Sequence, residues 1–203
     1  MSAADERAKA IKAAHVDFDK ALVLAEKVSD AWYRCQSLAA VARFAPEGKV
    51  IRVADKALKA ASLGADAYKL VAVAAWPVRA LAERGKFEHA QRVVIALLVE
   101  AKQIEPPVSK ISALEVLWQA VWIFPVGVKQ LVLETLLSAC QVTNSWKAGR
   151  IMRDVALVVA AEDRAQAQHI VDSMRESVYK RQAQKGIDAG KRETVRSFFR
   201  QAV

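Results

Sequence analysis

The chain has 203 residues, 54% hydrophobic and 26% charged, with 31 lysines and arginines against 22 acids for a formal net charge of +9. Alanine, the best helix former, fills 39 positions and glycine only seven, which excludes disorder, a β-sandwich, a disulfide scaffold and folds built on glycine-rich phosphate loops. The basic balance favours acidic partners, whether nucleic acid, anionic protein surfaces or anionic lipid.

The start, Met1-Ser2-Ala3-Ala4-Asp5-Glu6-Arg7, is charged and has no apolar segment of the kind that opens a signal peptide. Asp17 stands where an N-cap is expected, ahead of a helical stripe of Phe18, Ala21, Leu22 and Ala25. Tyr33-Arg34 opens a second helix, and Pro46 suits the first turn of a third, which carries Val50, Val53, Ala54, Ala57, Leu58 and Ala61. Asp66 caps the next, which runs over Tyr68–Arg84 to a stop at Gly85. Pro77 falls inside that run and predicts a kink or a split.

Beyond Gly85 the pattern repeats. Phe87, Ala90, Val94, Leu97, Leu98 and Ala101 form one stripe before Pro106-Pro107, and Ser109-Lys110 opens a helix bearing Trp118 and Trp122 on one face, ended by Pro125. Val128, Leu131, Val132, Leu136 and Ala139 follow, then an expected cap at Asn144 before Trp146-Lys147. Asp163 caps a further helix and Tyr179-Lys180 opens another. Gly186 and Gly190 interrupt the last stretch before a final helix through Phe198 and Phe199. The longest apolar run, Val93–Val99, is far short of the ~20 residues that span a bilayer, so a soluble, cytoplasmic protein is expected.

The stops at Pro46, Gly85, Pro125 and Asp163 are separated by 39, 40 and 38 residues. A period of that length built from two helices predicts a solenoid of stacked hairpins, because one hairpin cannot bury both of its faces. The expected fold is all-α, a right-handed α-α superhelix of about ten helices in one domain over 1–203. Its units would be 17–45, 46–85, 86–125, 126–162 and 163–203, with net charges of +1, +3, 0, +1 and +4, residues 1–16 counted with the first.

Gly85-Lys86-Phe87-Glu88-His89-Ala90 resembles the junction between the two helices of a tetratricopeptide repeat, with its glycine, an aromatic two residues on and an alanine three further. Phe18 and Ala21 repeat the aromatic-alanine part without the glycine. The spacing near 39 exceeds that family's 34 and leaves a HEAT-like array open. The resemblance implies a binding scaffold whose inner helices form a concave surface.

Chemistry-bearing motifs are few. His15, His89 and His169 are isolated, and Cys35 and Cys140 belong to no metal-binding or redox pair, so buried inert thiols are expected. Asp17/Asp19 and Glu162/Asp163 are explained as capping carboxylates. No nucleophile elbow, Walker loop or dinucleotide fingerprint occurs. The expectation is therefore a protein that is not an enzyme and takes no cofactor, metal, membrane or small-molecule ligand. One row of cations does recur: Arg34, Lys69, Lys110, Lys147 and Lys180 stand near the start of each first-of-pair helix and would align along one edge of a solenoid. Arg34, Lys69, Lys110 and Lys147, with Trp118 and Trp122 as apolar anchors, are the expected contacts for a protein or peptide partner, acidic where the cations take part. Arg181, Lys185, Arg192, Arg196 and Arg200 form a second, anion-binding candidate, the last three at i, i+4 and i+8 of one helix face. Nucleic acid, gripped through phosphates by the same cations, is the alternative partner.

Overall fold

A computed structural model describes residues 2–63, 66–191 and 193–199, and among them it contains eleven α-helices and no strand. They are α1 (Ala3–Ala14), α2 (Phe18–Glu26), α3 (Ala31–Phe44), α4 (Val50–Ser62), α5 (Ala67–Glu83) and α6 (Phe87–Ala101). α7 (Pro107–Val121), α8 (Val126–Val142), α9 (Trp146–Val159), α10 (Arg164–Ser173) and α11 (Val178–Asp188) follow, and a single 3-10 turn, Glu47–Lys49, precedes α4. The fold is of a helical-repeat kind. Odd-numbered helices lie side by side in one row, and each even-numbered helix packs into the join between the odd helices on either side of it in sequence.

The odd row is the more deeply buried because its helices are covered by neighbours on three sides. Cys35–Ala42 of α3 are all buried, and so is every residue of α5 from Val71 to Ala82 except Trp76 and Arg79. Alanine is the commonest residue in both runs, and its short side chain lets the helix axes approach closely.

Most helix ends follow the sequence. Asp17, Asp66 and Asp163 accept hydrogen bonds from the backbone N–H three residues on, as N-caps do. The α9 cap is Ser145, which accepts from Ala148 N–H; the expected Asn144 lies one residue outside. Pro106 and Pro125 do not themselves stop the preceding helices, which end at Ala101 and Val121, several residues earlier; they stand directly ahead of α7 and α8. Gly85 and Gly190 adopt left-handed φ values of +68° and +65°. At each, the N–H of the next residue reaches back to the carbonyl of the last helical turn, Lys86 to Leu81 at 2.9 Å and Lys191 to Gly186 at 2.8 Å, which closes a Schellman motif. Downstream of Gly85, Phe87 meets Phe124 edge-on at 5.6 Å and Ala90 is fully buried, so the three junction residues turn and pack α6 against α5 and α7.

Three expectations need correction. α5 neither splits nor ends at Pro77: the helix is continuous, and the Val73 carbonyl that Pro77 cannot bond accepts instead from the Cys35 thiol at 3.5 Å. The leading helix α1 precedes the first expected unit, and Glu6 docks it by accepting from Ser29 N–H (2.9 Å) and Oγ (3.0 Å). Among the described residues the final helix through Phe198 and Phe199 does not form; residues 193–197 have no regular secondary structure and 198–199 form a turn. Gly186, by contrast, lies within α11, where a Cβ would stand 2.5 Å from Leu157 Cδ2, so the glycine admits α9 rather than breaking the helix.

Candidate functional site

On α5 the two residues that interrupt the burial, Trp76 and Arg79, lie on one stripe with exposed Glu83 (i, i+3, i+7) and mark the face turned away from the even helices. A chain of polar contacts runs along this side of the odd row. Arg7 of α1 donates to Gln36 of α3 at 2.5 Å. Arg43 of α3 reaches Glu83 of α5 at 2.5 Å, and Arg79 holds the same carboxylate at 2.8 Å while approaching the Gln119 carbonyl of α7 at 3.5 Å. Arg150 of α9 grips Glu115 of α7 through both carboxylate oxygens (2.9 and 3.1 Å), and Arg153 reaches Gln182 of α11 at 2.9 Å. An arginine thus links every successive pair of odd helices. Sequence reading missed this seam, although Arg43, Arg79, Glu115 and Arg150 recur at 36, 36 and 35 residues.

The recurring cations do something different from what their alignment implied. Arg34 donates to the Val28 and Ser29 carbonyls at 2.7 and 3.1 Å, just past the end of α2. Lys110 donates to the Lys102 carbonyl at the end of α6, and Lys180 to the Asp172 and Met174 carbonyls at the end of α10. Each sits at the start of its own helix and satisfies the negative C-terminal end of the helix before it. Lys69 faces Asp66 at 3.8 Å, and Lys147 is half-buried at the start of α9. The cations of Arg34, Lys110 and Lys180 are committed to the backbone and do not form an open row.

The tryptophans separate. Trp118 is 2% exposed and meets Trp122 edge-on at 5.4 Å, so it belongs to the core and is no surface anchor. Trp122 is half-buried, with Lys129 Nζ 4.3 Å above its ring, while Lys129 also pairs with Glu162 at 2.7 Å. Trp146 is the exposed one, at 68%, on the rim of a cleft of 380 Å³ shared with Val178, Tyr179 and Arg175.

At the C-terminus, Arg192 and Arg200 lie outside the described residues, and Arg196 is exposed on a segment that is not helical, so the expected single helix face does not form there. Arg181 is exposed and 4.0 Å from Glu176, and Lys185 borders a 460 Å³ cleft between α9 and α11. From the Gly190 turn the chain runs back over the odd row. Phe198, only 7% exposed, meets the Trp76 ring edge-on at 5.5 Å, and Phe199 meets it at 5.2 Å with the Arg43 guanidinium 4.3 Å above its own ring.

Among the described residues no three His, Cys, Asp or Glu side chains cluster to hold a metal ion, and no helix is long and apolar enough to cross a membrane. His89 pairs with Asp55 at 2.8 Å across α6 and α4, a structural link at the edge of a packed face. Both cysteines are buried and unpaired with each other; burial pushes the Cys35 thiol up, and burial together with the nearby Glu115 pushes Cys140 up to about 12. The geometry defines an all-α protein of the helical-repeat kind with a charge-compensated, aromatic-bearing face. No protein-family model, curated protein or solved structure matches the chain.

Proposed function

We propose that this chain is a non-catalytic helical-repeat scaffold of the tetratricopeptide-like kind, which binds a protein or peptide partner on the free face of the odd-numbered helices. The observation that carries the reading is the chain's own residues 193–199, a non-helical segment resting on that face with Phe198 covered by it. A surface that accommodates one non-helical segment has the shape and apolar contacts to accommodate another. The Gly85, Phe87 and Ala90 junction supports the tetratricopeptide-like kinship, since each residue plays the turn or packing part that motif requires.

The phosphate-gripping alternative draws less support, because Arg34, Lys110 and Lys180 are spent on carbonyls. The test is titration of the full chain with a random peptide pool and, separately, with mixed single-stranded RNA at low and moderate salt. Peptide capture that survives moderate salt and is lost in Trp76→Ala supports the scaffold reading. RNA binding that survives moderate salt and needs Lys69, Lys110 and Lys147 overturns it.

A further inference from the structure

The seat occupied by the two phenylalanines is more specific than an apolar patch. Trp76 provides an aromatic floor in a helix whose other residues from Val71 to Ala82, Arg79 aside, are buried. Beside it, Arg43 is held by Glu83 at 2.5 Å, and Glu83 is itself fixed by Arg79 at 2.8 Å. One carboxylate between two guanidiniums fixes the Arg43 guanidinium, which lies 4.3 Å over the ring of Phe199, so a cation is already in place for a ring that sits against Trp76 there.

The occupant matches those two features. A turn at residues 198–199 brings consecutive side chains, which a straight extended strand would send to opposite sides, onto one indole. Phe198 takes the Trp76 edge at an interplanar angle of 77°; Phe199 takes it at 85° and also the Arg43 cation. Val195 adds one more apolar contact, while Thr194, Arg196 and Ser197 face solvent. Among the described residues, no hydrogen bond joins 194–199 to the helices beneath. The segment is tethered at the Gly190 turn and anchored by side chains alone.

We propose that the Trp76–Arg43 surface is a docking site for a peptide segment carrying two consecutive aromatic residues, and that residues 193–199 are its resident occupant, displaced when such a partner binds. The proposal rests on the reading of the odd-row face as a peptide-binding surface and names the partner chemistry for it. Because the tail is tethered, it competes at the effective concentration of a short flexible linker, on the order of millimolar, so the native chain presents a masked site. The affinity for an outside segment is then reduced, scaling with the fraction of time the tail is unseated.

The experiment is fluorescence anisotropy of a labelled peptide of residues 191–203 against three full-length proteins: the native chain, Phe198→Ala/Phe199→Ala, and that double variant with Trp76→Ala added. The expected result is binding to the double variant at least about tenfold tighter than to the native chain, lost again when Trp76 is removed. A peptide with both phenylalanines changed to alanine should bind none of the three. Equal affinity for native chain and double variant, or affinity indifferent to Trp76, overturns the proposal. If the double change impairs folding, Phe199→Ala alone tests the same point on the half-exposed ring and should tighten binding about threefold or more. A random peptide pool on the same double variant separates the two levels. Captured peptides without aromatic pairs keep the face as a binding surface and overturn the aromatic-pair seat; capture of nothing overturns both.

Discussion

Proline in a helix interior costs about 3 kcal/mol relative to alanine, yet α5 passes through Pro77 without ending. Part of the compensation is visible across the α3–α5 contact, where the Cys35 thiol donates to the Val73 carbonyl at 3.5 Å. Burial raises the thiol pKa, so it remains protonated and a donor at neutral pH. Pro77→Ala would return an N–H to Val73 and remove the helix penalty, but it would strip two buried methylenes worth about 0.8 kcal/mol each. The net expectation is stabilisation by about 1 kcal/mol.

Cys35→Ala in the native chain removes a buried sulfur and orphans a buried carbonyl, each worth about 1 kcal/mol, for a total cost of about 2 kcal/mol. In a Pro77→Ala background the carbonyl keeps a partner, and the same change should cost only about 1 kcal/mol. The predicted coupling is therefore about 1 kcal/mol, outside the ~0.3–0.5 kcal/mol within which independent sites add. Urea unfolding of the four proteins of the cycle, read from midpoints at constant slope, measures it. Additivity of the two changes would refute the idea that the thiol stands in for the missing amide.

Other outcomes follow from the turns, the cations and the carboxylates. Gly85→Ala and Gly190→Ala place a side chain at positive φ and should each destabilise by about 1 kcal/mol in thermal melts, whereas Gly127→Ala, which meets nothing within 4 Å, should be neutral or stabilising. Arg34→Met should cost about 2 kcal/mol in urea unfolding through its two lost carbonyl contacts, and Lys69→Met, on an exposed pair, less than about 0.5 kcal/mol. Equal effects would show that Arg34 is not a helix-end donor. The Glu6 carboxyl is held below its ordinary value by the Ser29 N–H and hydroxyl, and that of Glu47 mainly by Lys86. A lowered folded-state pKa means the unfolded chain binds more protons, so this stability is present above the ordinary value of 4.5 and lost as pH falls through it toward the folded value. Denaturation midpoints measured from pH 6 to pH 3 should fall less steeply in Glu6→Gln than in the native chain.

The parts of the fold that were legible in the sequence are those set by local chemistry. Asp17, Asp66 and Asp163 cap helices because a short carboxylate at that position satisfies a free N–H whatever lies elsewhere, and Gly85 ends one because only glycine takes that turn cheaply. What stayed hidden depends on neighbours dozens of residues away. Pro77 reads as a helix breaker until Cys35, 38 residues from Val73, is brought against it. Arg34, Lys110 and Lys180 read as an open row because a helix start gives no hint that the preceding helix's carbonyls fold back beside it. Trp118 within α7 and Trp122 at its C-cap share a chemistry, and packing by other helices puts the first in the core and leaves the second half-buried. The Phe198-Phe199 pair has helical spacing relative to Val195, but the contact that fixes it is with Trp76, more than a hundred residues back.

The proposed docking face is consequently distinct from the most basic parts of the surface. Along the odd row the arginines face carboxylates, amides or carbonyls, so that face presents ring faces and one held guanidinium more than net charge. Basic side chains also line the even side, where Arg52 and Lys59 of α4, together with Lys56, which pairs with Glu26, border an open depression of 480 Å³ beside the Asp55 carboxylate. Non-specific attraction to anions should therefore act from the even side and fade with salt, whereas a partner seated on Trp76 should be nearly indifferent to salt. On the proposed reading, the partner of this face would be selected by the aromatic pair that rests on Trp76 rather than by the formal charge of +9.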